Sequence, residues 1–266
     1  MYQLNVKVTN TGLTVSKVTL TDWVIDTTLP DAEFKPVVTP STPSGPAIDA
    51  TGKANGVYAV SSTGSLIDYN SADASALGVA LVVGEHKFMI AKSDATDGTN
   101  SILYWTKSYS DLSLTDYINA DDTNSFGSFD GPSTRQLNKD FTTWTAGALS
   151  DFNGKSNTAV IIADYAALGK DMDSRDMCKV LETYNEGGYA DWYVPACGQL
   201  ALMYLNITDI NAALTKIGGT ALAAWTYWSS TENSSGSAWG VSFDGGDVSM
   251  AYKNTCNYVR FVRDIN

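Results

Sequence analysis

The sequence predicts an α+β fold, and three observations carry that prediction. Short runs with period-2 alternation occupy the first hundred residues, two stretches with helical periodicity follow, and alternation returns in the last forty residues. Strands, then helices, then strands, without a repeated strand–helix–strand unit, place helices against a twisted antiparallel sheet rather than around a parallel one.

The elements follow in chain order. In residues 1–28, Tyr2, Leu4, Val6 and Val8 alternate, Asn10-Thr11-Gly12 turns the chain, and Val15, Val18, Leu20 and Trp23 follow. This reads as a β-hairpin, which needs a further surface to lean on. Residues 29–53 hold Pro30, Pro36, Pro40, Pro43 and Pro46, five of the seven prolines, among Ser and Thr. That composition predicts an extended linker. A single compact domain is expected over 54–266, opening with the strands GVYAV, GVALVV, HKFMI and SILYW. Residues 106–154 are rich in Asp, Asn, Ser and Gly and read as loop. Two main helices are expected next. Met177, Val180, Leu181 and Tyr184 share one face, with Gly187 as a stop; Leu200, Met203, Tyr204 and Ile207, then Ile210, Leu214 and Ile217, form stripes ending at Gly218-Gly219.

Composition excludes several functions. Seventeen basic residues against twenty-nine acidic give a formal charge of −12, which repels phosphate backbones, so no nucleic-acid partner is expected. No stretch approaches the roughly 20 apolar residues of a transmembrane helix, and MYQLNVKV has no signal-peptide pattern. Three cysteines without a CxxC pair argue against a disulfide scaffold and against structural zinc; Cys178 and Cys197 read as buried thiols and Cys256 as exposed. His86 is the only histidine, lies in a strand, and has neither a second ligand nor a nucleophile elbow nearby, so hydrolytic catalysis is disfavoured. The string DATDGTN at 94–100 misses the ligand spacing of a calcium loop and reads as a solvated turn, while DMDSRD at 171–176 reads as a helix N-terminus. No metal or cofactor is expected.

The terminal segment is the most informative. Trp239, Val241 and Phe243 interleave with Gly240, Ser242 and Asp244; Val248, Val259, Phe261 and Val262 sit among small polar residues. One strand face should be buried and the other wet. The wet face lacks the Lys and Glu that usually blunt exposed strands and is rich in Ser, Asn, Asp, Gly and Tyr, the composition of a paratope. Tyr252 and Asn233 are expected in contact positions, Ser229 to Glu232 in structural ones, and the aromatic cluster Trp225, Tyr227, Trp228 and Trp239 in the core. DWYVP at 191–195 reads as a core latch between strand and helix.

The series DWYVPACGQL, INAALTKIGGTAL, YWSSTE, AWGVSF, GGDVS and YVRFVRD resembles bacterial domains with the C-type-lectin-like fold, distant relatives of formylglycine-generating enzymes. Within that group the chain is similar to the variable proteins of diversity-generating retroelements. In those proteins a rigid framework carries C-terminal positions that vary through randomised adenines. The resemblance implies a constant framework of Trp239, Val241, Phe243 and Val259. It implies a ligand-binding face of Asn233, Ser237, Gly240, Ser242, Asp244, Asp247, Ser249, Ala251, Tyr252, Asn254, Thr255, Cys256 and Asn257. The calcium-binding strings of sugar-binding lectins and the copper-holding cysteine pattern of the oxidases are absent. The first 25 residues resemble the closing strands of fimbrillin-type pilus subunits, which implies the distal part of a longer adhesin. Together these features imply a non-catalytic cell-surface adhesin or receptor-binding module for a protein or glycan ligand, with pilus subunits as further partners. The alternatives are a copper oxidase using Cys197 and Cys256, and a purely structural pilus component.

Overall fold

A computed structural model describes residues 45–107, 126–129, 134–137, 140–144, 147–167 and 171–266. The chain divides into two units, Met1–Thr39 and Pro40–Asn266. The expected hairpin over 1–28 and the start of the linker lie outside the described residues.

The second unit is built on two antiparallel five-stranded sheets. The first has the order β2-β1-β3-β4-β12, formed by β1 (Gly56–Val60), β2 (Leu66–Ile67), β3 (Gly78–Val83), β4 (His86–Ile90) and β12 (Val262–Asp264). Strand β3 is central, and all six residues of GVALVV are buried, the continuous apolar run of a strand covered on both faces. The C-terminal β12 pairs with β4, Val262 opposite Ile90, so the end of the chain closes the first sheet. A two-stranded ladder joins β5 (Leu103–Tyr104) to β11 (Cys256–Asn257).

The second sheet has the order β6-β7-β10-β9-β8, from β6 (Phe126–Phe129), β7 (Thr134–Leu137), β8 (Thr226–Ser234), β9 (Ser237–Ser242) and β10 (Asp247–Tyr252). The expected loop over 106–154 therefore contributes two strands. Their short segments FGSF and TRQL are too brief to display alternation above their polar surroundings.

Four helices are described: α1 (Gly154–Ala167), α2 (Met177–Leu181), α3 (Cys197–Leu205) and α4 (Ile207–Lys216). Helix α1 is absent from the sequence expectation. Its buried positions Gly154, Thr158, Ile161 and Tyr165 form a narrow stripe, half of it small or polar, which hides the helical period. Helix α2 ends at Leu181, so Tyr184 and the expected stop Gly187 lie beyond it; Gly187 and Gly188 take positive φ in the separate turn that follows. The expected second helix is two, separated at Asn206, whose amide donates to the Leu202 carbonyl at 2.9 Å.

Two cores result. One places β3 and β4 side chains such as Leu81 and Phe88 against α3, α4 and the Trp239–Val241–Val248 face of the second sheet. The other gathers Trp105, Ile161, Met177, Trp192, Trp228 and Phe261. The boundary expected at residue 54 moves forward: Ile48 and Ala50 are buried, and the Pro46 carbonyl accepts from the Tyr189 hydroxyl at 2.8 Å. These residues belong to the packed domain and not to a linker. Among the described residues no helix is long and apolar enough to cross a membrane.

Candidate ligand-binding face

The terminal strands are positioned from below by tryptophans. The Trp105 indole donates to the Ser229 carbonyl at 2.9 Å, and the Trp228 indole donates to the Leu103 carbonyl at 3.2 Å. Two strands from distant parts of the chain are thereby stitched together. Thr231 adds a second anchor: its hydroxyl accepts from the Cys197 N–H and donates to Asp151, both in buried surroundings. The structural role expected for Ser229 to Glu232 is what these contacts describe.

One residue binds the turns above. Lys253 is 2% exposed, and its Nζ pairs with the wholly buried Glu232 carboxylate. The same ammonium donates to the Ser235 carbonyl at 2.8 Å and lies 4.5 Å from the centre of the Trp105 ring. Its backbone N–H donates to Gly236 and its carbonyl accepts from Thr106, each at 3.1 Å. The β8–β9 turn and the β10–β11 turn are therefore held as one platform. Sequence reasoning passed over Lys253. The one basic residue between Lys216 and Arg260, set among small polar ones, was the available signal, since buried charge demands a partner.

On this platform, Met250 is 46% and Tyr252 65% exposed, with Asn254 and Thr255 exposed beside them. Asn233 is half-buried and its side-chain oxygen accepts from the Ser237 hydroxyl at 2.9 Å. Ala251 and Cys256 are half-buried. Ser242, Asp244 and Asp247 lie toward the opposite end, with Asp244 exposed and the other two half-buried, and half-buried Ser249 sits between, opposite Gly240. Five residue steps along β9 separate the two ends by roughly 17 Å. The predicted face is thus two patches rather than one.

Three expected contact residues are withdrawn from the surface. Gly240 is buried, and a Cβ there would lie 2.9 Å from both Thr226 Cγ2 and the Tyr227 carbonyl. Asn257 is 6% exposed in the ladder with β5, and Ser237 is 9% exposed inside the β8–β9 turn. The physical reason is shared by Gly240 and Ser237. Strand β9 is central, flanked by β8 and β10, and all its residues but Ser242 are buried. Its small polar residues answer to close packing and not to solvent. A lysine at Gly240 would cost stability and would not test binding alone.

The framework residues Trp239, Val241, Phe243 and Val259 are all buried. The aromatic cluster is core except for Trp225, which is 58% exposed and departs from the expectation. In the DWYVP string, Trp192 and Tyr193 are buried, and Asp191 holds Arg263 through two bonds of 2.8 and 2.9 Å, the latch expected there. Asp97 caps its own turn, accepting from Thr99 and Asn100, and these hydrogen bonds lower its carboxyl pKa.

Cys197 is buried in the first core, where burial pushes its thiol above the usual range. Cys256 is half-buried in β11. His86 stacks on Phe152 at 3.7 Å, and burial lowers its pKa. Among the described residues no three His, Cys, Asp or Glu side chains converge to hold a metal ion. An open groove of about 450 Å³ lined by Tyr189, Asp191, Arg263 and Asp264 contains none of the candidate residues.

A family model described as the Lcl C-terminal domain matches residues 95–263. The chain belongs to this family. The matched stretch contains all four helices, the whole second sheet and every candidate contact residue, while β1 to β4 precede it. No curated protein matches the chain. Among solved structures, a fimbrial protein from Bacteroides ovatus is similar, with 20% identity, a TM-score of 0.48, and 79% of this chain and 48% of that one covered. The chain therefore spans about half the length of that protein.

Proposed function

We propose that the chain is a non-catalytic ligand-binding module of a cell-surface adhesin or receptor-binding protein, built on the C-type-lectin-like fold. Its ligand face is the Met250–Thr255 patch with Asn233 at its margin, and its ligand is a protein or a glycan. The observation that carries this reading is the exposure of Met250 and Tyr252 on a backbone immobilised by the buried Lys253. Large side chains on a fixed platform provide contact area at little cost in conformational entropy, and the neighbouring Asn254 and Thr255 supply adaptable hydrogen bonds. Display at the cell surface, pilus partners and diversification by a retroelement rest on the sequence resemblance.

Two measurements test the proposal. The purified chain is screened against a glycan array and a panel of immobilised extracellular protein domains. A ligand lost by Tyr252→Ala with Met250→Ser, at unchanged melting temperature, supports it; a ligand retained by that variant refutes the assigned face. Diversification is read from the codons for residues 226–257 across many cells of one population. Substitutions should fall on Ser242, Asp244, Ser249, Tyr252, Asn254 and Thr255 and spare Ala238, Gly240, Lys253 and Asn257. Uniform codons, or changes spread equally over both groups, would remove it.

A further inference from the structure

Trp225 stands apart from the other described tryptophans. Trp105, Trp144, Trp192, Trp228 and Trp239 are at most 5% exposed, whereas Trp225 is 58% exposed. Among the described residues its indole has no hydrogen-bond partner and no ring contact. A bulky apolar side chain left in water at the end of a structured strand is normally used for contact.

Its surroundings define the contact. The Trp225 carbonyl accepts from the Phe243 N–H at 2.9 Å, which fixes the indole-bearing residue against the start of the β9–β10 turn. Asp244 is the next residue, one chain step of about 3.8 Å further on. It is exposed, and its carboxylate has neither a hydrogen bond nor an ion pair. The turn is rigid, because the Gly246 N–H donates to the Ser242 carbonyl at 2.9 Å and Gly246 takes a φ of 79° close to the Tyr204 ring. Ala221 and Ala224 are exposed and add no bulk beside the indole. Arg260 is fully buried and spent on Asp94, Ala91 and Thr220. Among the described residues no ion pair involves Asp244.

We propose that Trp225 and Asp244 form a second recognition site, which takes the ammonium or guanidinium group of a basic protein segment. The indole is the strongest aromatic partner for a cation. The free carboxylate supplies the counter-charge, and the −12 chain favours approach of a basic partner. This site lies at the opposite end of β9 from Tyr252 and is independent of the face assigned above.

The probe is capped tetralysine, with its ε-acetylated form as the neutral counterpart, titrated at physiological ionic strength and followed by isothermal titration calorimetry. Trp225→Leu keeps apolar area but removes the ring; Asp244→Asn keeps shape but removes charge. Each should weaken binding of tetralysine by about two- to fivefold, the range of an exposed cation–π contact or surface ion pair. The acetylated peptide should not bind, and Tyr252→Ala should bind as the parent does. Equal affinity of the parent and Trp225→Leu would show only diffuse attraction to an acidic surface and overturn the proposal. Equal binding of the acetylated peptide would overturn it in favour of a neutral ligand. Loss with Tyr252→Ala would overturn the separation of the two sites.

Discussion

Replacing Lys253 by Met removes an ammonium and leaves the Glu232 carboxylate in place, with no exposure to water. The methionine fills most of the volume over Trp105, so the perturbation is chiefly electrostatic. Breaking one side of a buried ion pair costs about 3–5 kcal/mol, because the surviving charge keeps its desolvation penalty and loses its compensation. The Ser235 carbonyl loses its donor as well. For a unit of this size each kcal/mol moves the melting temperature by roughly 2–4 °C, so Lys253→Met should lower it by about 6–20 °C. The pair of changes Lys253→Met and Glu232→Leu tests the cause. With both charges gone the penalty disappears, and an apolar pair of similar volume is commonly neutral or stabilising. Thermal and urea unfolding of the parent, the single variant and the double variant would measure this. If the single variant loses less than about 1 kcal/mol, Glu232 is reached by water and the platform argument fails. If the double variant is as unstable as the single, the loss comes from packing and not from the orphaned charge.

Other outcomes follow from the same contacts. Gly240→Ser should destabilise by about 1–3 kcal/mol through overpacking against Thr226 and Tyr227, whereas Ser249→Ala, one pair across in the ladder, should stay within about 0.5 kcal/mol; denaturant midpoints compare them. His86 has a lowered pKa in the folded state, so its contribution is complete above the unfolded value of about 6.5 and is lost as pH falls. Urea midpoints between pH 8 and 5 should fall with acid, and His86→Phe, which keeps the stack on Phe152, should flatten that dependence.

Much of the fold was legible because burial leaves a period. GVALVV, Phe88 to Ile90 of HKFMI, the α4 stripe of Ile210 and Leu214, and Trp239, Val241 and Val248 of the terminal strands are buried as the sequence predicts. Illegible elements share one physical trait: they are held by neighbours far away in the chain. Helix α1 packs through Thr158 and Tyr165, whose hydroxyls find Val194 and Asp176, so its inner face looks polar in sequence. Asp176 is the N-cap of α2, as DMDSRD predicts, but the sequence does not show that it is also buried and accepts from Lys107, Asp173 and Tyr165 at once, with burial raising its pKa. Arg260 and Lys253 were indistinguishable from surface charges until their partners came into view.

For the same reason the terminal alternation predicts burial in only part of the sheet. Period 2 separates two faces of a strand but does not say whether one face or both are covered. In β10 the odd and even positions differ as expected only at Val248; Met250 shares that residue's parity and is exposed. In β9 both parities are buried, because β8 brings Trp228 opposite Gly240 on one face while Trp239 and Val241 enter the first core on the other. A glycine opposite a tryptophan in a central strand is a spacing device, whereas the same residue type at an edge would be a permissive contact position. Position in the sheet, and not residue type, therefore decides which small polar residues of the last forty can change freely. On the function proposed above, the positions free to change contract to the strand ends and turns, beside Tyr252 at one end of β9 and Asp244 at the other.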